Sequence, residues 1–124
     1  MAYRISRISI AAIFLWHGIV PKLLFQSEQE LELMRWSSYT AYHAVLITNI
    51  VGVVEIIFAL LMLVLWRHKW PMFVSIALMV VMLLGVLMIK PSMTTEAFNP
   101  VSLNFAVIAL CLINLFSKPG AKKS

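Results

Sequence analysis

Four long apolar stretches constrain this chain more than any other feature: Ile5 to Phe25, Tyr42 to Trp66, Trp70 to Ile89 and Phe98 to Phe116. Each is close to the ~20 residues that a helix needs to cross ~30 Å of hydrocarbon. With 62% hydrophobic and 12% charged residues in a chain of 124, the sequence is more apolar than a soluble domain, in which the apolar share is about half. Lipid offers no water to backbone N–H and C=O groups, and the stretches run well past the ~9–11 residues of a barrel strand, so helices are the expected solution. The predicted fold is all-α, an integral membrane four-helix bundle forming one domain over residues 1–124 in contact with the lipid bilayer. The first stretch reads as a mature helix and not a signal peptide. His17, Pro21 and Lys22 fall late in the run, and no small-residue cleavage site precedes the acidic segment. No soluble domain is left outside the spans, so the chain is not expected to be an enzyme by itself.

The net charge of +5 reads as topology. With the N-terminus in the cytoplasm, Arg4, Arg7, Arg67, Lys69, Lys118, Lys122 and Lys123 lie inside, and Lys22, Arg35 and Lys90 lie outside, seven against three. Lys and Arg bias in short loops sets orientation, so both termini and the turn from Arg67 to Lys69 are expected to be cytoplasmic. Glu28, Glu30, Glu32 and Glu96 all fall outside. No basic surface is left over for nucleic acid. Cys111, the single cysteine, lies within the fourth stretch and reads as a small buried hydrophobe.

The longest and most polar connection runs from Gln26 to Ala41. Ser27 followed by Glu30 fits a capping box, and Leu31, Leu33 and Met34 supply apolar contacts, so a short helix over about residues 28–35 is predicted on the outer membrane face. Trp36, Tyr39 and Tyr42 suit the interfacial level. The segment reads either as a solvated linker with an aromatic anchor or as a lid over the outer mouth of the bundle. The second connection, Arg67 to Lys69, is very short, with Pro71 suited to the first turn of the next helix, so spans two and three form an antiparallel hairpin. Asn99-Pro100 fits a turn and a new helix start, and the tail from Lys118 to Ser124 reads as disordered.

Glu55 is the one acid that no loop can hold. An ionisable group at mid-span costs roughly 2.5–3.5 kcal/mol on insertion scales and faces a bundle interior or a wet cavity. Counting ~1.5 Å per residue places Glu55 near the midplane of the second span, with His17, Asn49 and Asn104 in the outer halves of spans one, two and four. Gly52, Glu55 and Ala59 share one helix face, expected to look inward. Gly18, Gly52 and Gly85 allow backbones to approach or leave room for a ligand. Pro21 frees the His17 carbonyl from its helical bond, giving a kink or a polar niche. Lys22 either snorkels outward or turns toward a carboxylate. Glu55, His17 and Asn104, with Lys22 and Asn49, are thus candidates for a ligand or proton-handling site. Interhelical hydrogen bonding, worth about 0.6 kcal/mol per pair in membranes, is the plainer reading. Haem and metal are not expected: His17 and His43 differ in depth, and His68 lies on the opposite side. Met72, Met79 and Met82 read as a packing stripe.

The runs His17-Gly18-Ile19-Val20-Pro21-Lys22-Leu23-Leu24, Gly52-Val53-Val54-Glu55 and Asn99-Pro100-Val101-Ser102-Leu103-Asn104 together resemble the DoxX-like membrane proteins, from about Arg4 to Phe116. The resemblance implies a small four-helix integral membrane protein, usually of the bacterial cytoplasmic (inner) membrane. It gives shared-motif status to His17, Gly18, Pro21, Lys22, Glu55, Pro100 and Asn104, without catalytic roles. One relative in that family is a subunit of a thiosulfate:quinone oxidoreductase, and some members are fused to a short-chain dehydrogenase domain, which is not expected among residues 1–124. The functional expectation is therefore an outer-half pocket for a quinone or lipid-like molecule, with Glu55 as polar contact, in a subunit of a membrane redox system with a membrane or soluble oxidoreductase partner. Two alternatives stay open. One is a proton-coupled transporter of the small multidrug-resistance type, against which stand the acid's place in the second span and the seven-to-three charge bias. The other is a structural or assembly partner without a ligand. A single bundle suffices to enclose Glu55, and a homo-oligomer stays open.

Overall fold

The computed structural model describes residues 1–36, 40–97 and 99–119. Tyr39, Phe98, Lys122 and Lys123, read above as an interfacial ring, a span start and inner charges, lie outside the described residues, as does the tail beyond Pro119. Helix α1 (Ala2–His17) continues into a π-helical segment, Gly18–Leu24. Then come α2 (Glu28–Arg35), α3 (Ala41–Val64), α4 (Trp70–Ile89), a 3-10 turn (Pro91–Thr95) and α5 (Pro100–Phe116). Among the described residues there is no strand.

Among the described residues, three helices are long and apolar enough to cross a membrane: Ala2–Leu24, Ala41–Val64 and Trp70–Ile89. Helix α5 is apolar but has 17 residues, or roughly 25 Å at 1.5 Å per residue. Helix α5 covers most of the fourth expected span, Phe98 to Phe116, and is the shortest of the four apolar helices.

Helix starts follow side-chain chemistry. The Ser27 hydroxyl accepts from the Glu30 amide at 3.4 Å and begins α2. Thr40 Oγ1 accepts from the His43 amide at 3.3 Å at the start of α3. Asn99 Oδ1 accepts from the Ser102 amide at 2.9 Å, with Pro100 as the first residue of α5. Each oxygen satisfies an amide that the helix leaves orphaned, and the first turn tolerates a proline that has no N–H to offer.

The packing resolves into two compact units, Ala11–Leu61 and Met1–Ile10 with the chain from Met62 onward. In the first, Phe14 meets Phe58 edge to face at 5.2 Å, and Gly18 and Gly52 bring two helix backbones together. A Cβ on Gly18 would stand 2.6 Å from the Gly52 carbonyl oxygen, and one on Gly52 would stand 2.8 Å from that of Gly18. Gly52 and Ala59 are buried and Glu55 is half-buried, on one face of α3. In the second unit α4 packs on α5. Met72, Ser75, Met79, Met82 and Val86 line the inner face of α4 at helical spacing, three of them buried. Asn104, Val107, Cys111 and Asn114 do the same on α5. Gly85 has no atom within 4 Å of the place its Cβ would take, so it is not a site of close approach. Outward positions such as Val54, Ile57, Val81 and Met88 are exposed and apolar, as a lipid-facing surface requires.

Candidate functional site

The site in the Ala11–Leu61 unit begins with a proline. Pro21 cannot donate to the turn before it, and the chain responds with π geometry: the Phe25 amide donates to the Val20 carbonyl five residues back, at 3.0 Å. Widened turns of this kind occur mostly as single interruptions of α-helices, frequently at functional sites. The Ser27 amide then donates to the Pro21 carbonyl at 2.7 Å. Between them Gln26 adopts φ 45°, a left-handed conformation that favours glycine or asparagine. Its side-chain amide donates to Asn49 Oδ1 at 3.2 Å, tying the bend to α3.

The bend turns Lys22 inward, and its side chain is only 3% exposed. Nζ lies 3.0 Å from Glu30 Oε1, to which it donates, and 3.2 Å from Glu55 Oε2. The second contact is an ion pair by distance but lies outside the angular range of a hydrogen bond. Glu55 Oε2 and Glu30 Oε2 are accordingly buried without a hydrogen-bond partner among the described residues. Taking an ammonium out of water costs several kcal/mol, which a facing carboxylate offsets only with good geometry. Here one cation faces two carboxylates, so the fully ionised trio carries one excess negative charge. Glu55 keeps 21% of its side chain exposed and Glu30 keeps 15%.

Among the expected site residues, Lys22 and Glu55 are brought together, and Asn49 joins through Gln26 rather than through Glu55. His17 is half-buried in the same unit, one helical turn before Pro21, within the electrostatic reach of Lys22 and Glu30. Asn104 belongs to the other unit. It is 5% exposed, and its Nδ2 has no partner among the described residues.

Two residues, Glu30 and Gln26, were missed by sequence reasoning. In a capping box the glutamate three residues into the helix reaches back to the N-cap amide. Here the Ser27 amide is already engaged by Pro21, so the Glu30 carboxylate is free to bind Lys22. Glu30 is therefore half-buried against Lys22, whereas Glu28 and Glu32 are exposed.

The first turns of α1 hold a second polar cluster. Arg7, counted above among the charges of the inner side, is fully buried. Its guanidinium donates from Nε to the Met62 carbonyl at 3.0 Å, from Nη2 to Leu65 at 2.6 Å and from Nη1 to His68 at 3.0 Å. Nη1 also reaches Asn114 Oδ1 at 3.4 Å. The Tyr3 hydroxyl donates to the Trp66 carbonyl, and Asn114 Nδ2 donates to the Tyr3 carbonyl and the Ser6 hydroxyl at 2.9 and 3.0 Å. The end of a helix leaves carbonyls without amide partners, and a planar, five-donor guanidinium suits such a group. The first turns of α1 thus hold a dense polar network drawn from α3, the turn after it and α5.

The sequence profile of the DoxX-like family matches residues 11–112. No curated protein and no solved structure matches the chain.

Proposed function

The chain belongs to the DoxX-like family, and on that premise we propose that this integral membrane protein binds a small apolar or amphipathic molecule, a quinone or lipid-like metabolite, in the outer half of the membrane, with Glu55 as its polar contact. The observation that carries this reading is the Glu55 carboxylate itself: it sits in a membrane helix, partly exposed, with one oxygen buried and lacking a hydrogen-bond partner beside Lys22. Intramembrane ionisable groups of this kind mark ligand or proton pathways.

A quinone supplies two-electron redox chemistry when bound, accepting hydrogen bonds when oxidised and donating them when reduced. The residues of the Ala11–Leu61 unit fit both forms. Glu30 Oε2 and Glu55 Oε2 accept; the Lys22 N–H groups not spent on Glu30 and the His17 ring donate. Lys22 fixes the position of Glu55 while Pro21 and Gln26 fix that of Lys22. The proposed setting is a bacterial inner membrane, with α5 as a fourth crossing, both termini cytoplasmic and an oxidoreductase as partner, the protein acting as a subunit of a redox system.

Mass spectrometry of small molecules retained by the purified protein tests the reading. Glu55→Gln and Glu55→Ala should each lose the molecule that the unchanged protein carries; retention in both variants would overturn it. The rival, a structural partner without a ligand, draws on the Lys22–Glu55 ion pair, which already gives Glu55 a counter-charge. That reading expects no co-purifying molecule and loss of folding in Glu55→Ala.

A further inference from the structure

Helix α2 lies outside the apolar spans, and its faces differ in kind. Ser27, Glu30, Leu31 and Met34 recur at helical spacing, with Leu31 buried and the other three half-buried, whereas Glu28, Gln29, Glu32 and Arg35 are exposed. The inner face therefore combines one buried apolar side chain with a carboxylate that reaches Lys22. That ion pair is the charged contact between α2 and the pair Lys22–Glu55, and it leaves Lys22 almost without exposure.

Helix α2 is also joined to α1 in a particular way. Between the last π turn, closed by the Phe25 amide, and the Ser27 cap stands one residue, Gln26, at φ 45°. A non-glycine residue in this region is held there by its surroundings, and such positions cluster at clamps and switches. The hold is visible: the Gln26 amide group on Asn49. A short helix with little apolar burial, hinged at a single left-handed residue, belongs to the low-stability end of a fold, where local opening occurs without global unfolding.

We propose that α2 is a latched cover over the Lys22–Glu55 pair, with Glu30 as the latch and Gln26 as the hinge. In the closed state Lys22 is shared between Glu30 and Glu55. Release of Glu30 leaves Lys22 with Glu55 alone and opens the pair to the outer surface. Glu30 is thus a gating residue, distinct in role from Glu55, and the opening of α2 is independent of which molecule Glu55 holds.

Hydrogen–deuterium exchange, read by mass spectrometry on the full chain in detergent micelles, tests this directly. Glu30→Gln should speed exchange of α2 amides tenfold or more while leaving α4 and α5 unchanged. Glu28→Gln removes a charge from the same first turn but at an exposed position, and should stay within twofold of the unchanged protein, which separates the latch from the helix dipole. Equal α2 exchange in the two variants would overturn the latch. So would acceleration that spreads to α4 and α5, or failure of Glu30→Gln to fold, since the contact would then hold up the fold and not one helix. Ligand retention is a separate readout, so the latch and the Glu55 reading fail independently.

Discussion

At the scale of single residues, what a glycine does here is decided by what stands opposite its missing Cβ. Gly18 and Gly52 face each other's carbonyl oxygens, and added Cβ atoms would meet backbone that has no rotamer through which to yield. Gly18→Ala and Gly52→Ala should each destabilise the protein by about 1–3 kcal/mol, the usual cost of overpacking. Gly85 lies inside α4 with open space around it, so Gly85→Ala should be neutral or stabilising by up to ~1 kcal/mol, the helix-propensity difference. Unfolding midpoints of the three variants in one detergent check the contrast; equal losses at all three positions would remove the backbone crossing as the cause. In sequence the three glycines look alike, because nothing local tells which helix face meets another backbone. Lys22 is similar. Its position after Pro21 was legible, but its choice between interface and interior depended on Glu30 arriving from α2.

At the scale of elements, helix ends organise this protein. The cap at Ser27 and the pair Asn99-Pro100 could be read directly, since these residue types act within three positions of themselves. The far end of α3 could not. Its carbonyls, and those of the turn into α4, are taken by Arg7, whose partners lie 55 to 61 residues away in the chain. A positive charge near the end of an apolar stretch reads equally well as an anchor in a cytoplasmic loop. Arg7→Met keeps much of the side-chain volume and leaves the Met62 and His68 carbonyls without the guanidinium, while the Leu65 carbonyl keeps the His68 amide. At roughly 1–3 kcal/mol per unsatisfied buried group, with the Met62 carbonyl buried and the His68 carbonyl part-buried, the loss should be on the order of 2 kcal/mol. Arg4 is exposed on the same helix, and Arg4→Met should cost under about 0.5 kcal/mol, as surface changes do. Denaturant titration of the pair measures the difference, and comparable losses would mean that Arg7 acts through its charge and not through the carbonyls it holds.

At the scale of the whole molecule, burial of Arg7 bears on orientation. A guanidinium spent on carbonyls is a weaker topological signal than one in a loop, because the bias is read from Lys and Arg in short flanking loops. Six inner candidates remain without Arg7, namely Arg4, Arg67, Lys69, Lys118, Lys122 and Lys123, against Lys22, Arg35 and Lys90 outside, and Lys22 is itself spent on Glu30 and Glu55. The bias therefore survives, and Arg7→Met should weaken the fold without reversing its insertion. The side taken by the C-terminus depends instead on α5. Its 17 residues fall at the lower edge of the range for a spanning helix, and its buried Asn104 and Asn114 lower its apolar content further. If α5 crosses, an even number of spans places both termini on one side; if it lies along the surface, three spans place them on opposite sides. Reporter fusions at each end, one active only in the cytoplasm and one only outside it, should both report the cytoplasm. An external C-terminus with a cytoplasmic N-terminus would reduce the crossing helices to Ala2–Leu24, α3 and α4, and would place Lys118 on the outer face, where the charge bias argues against it.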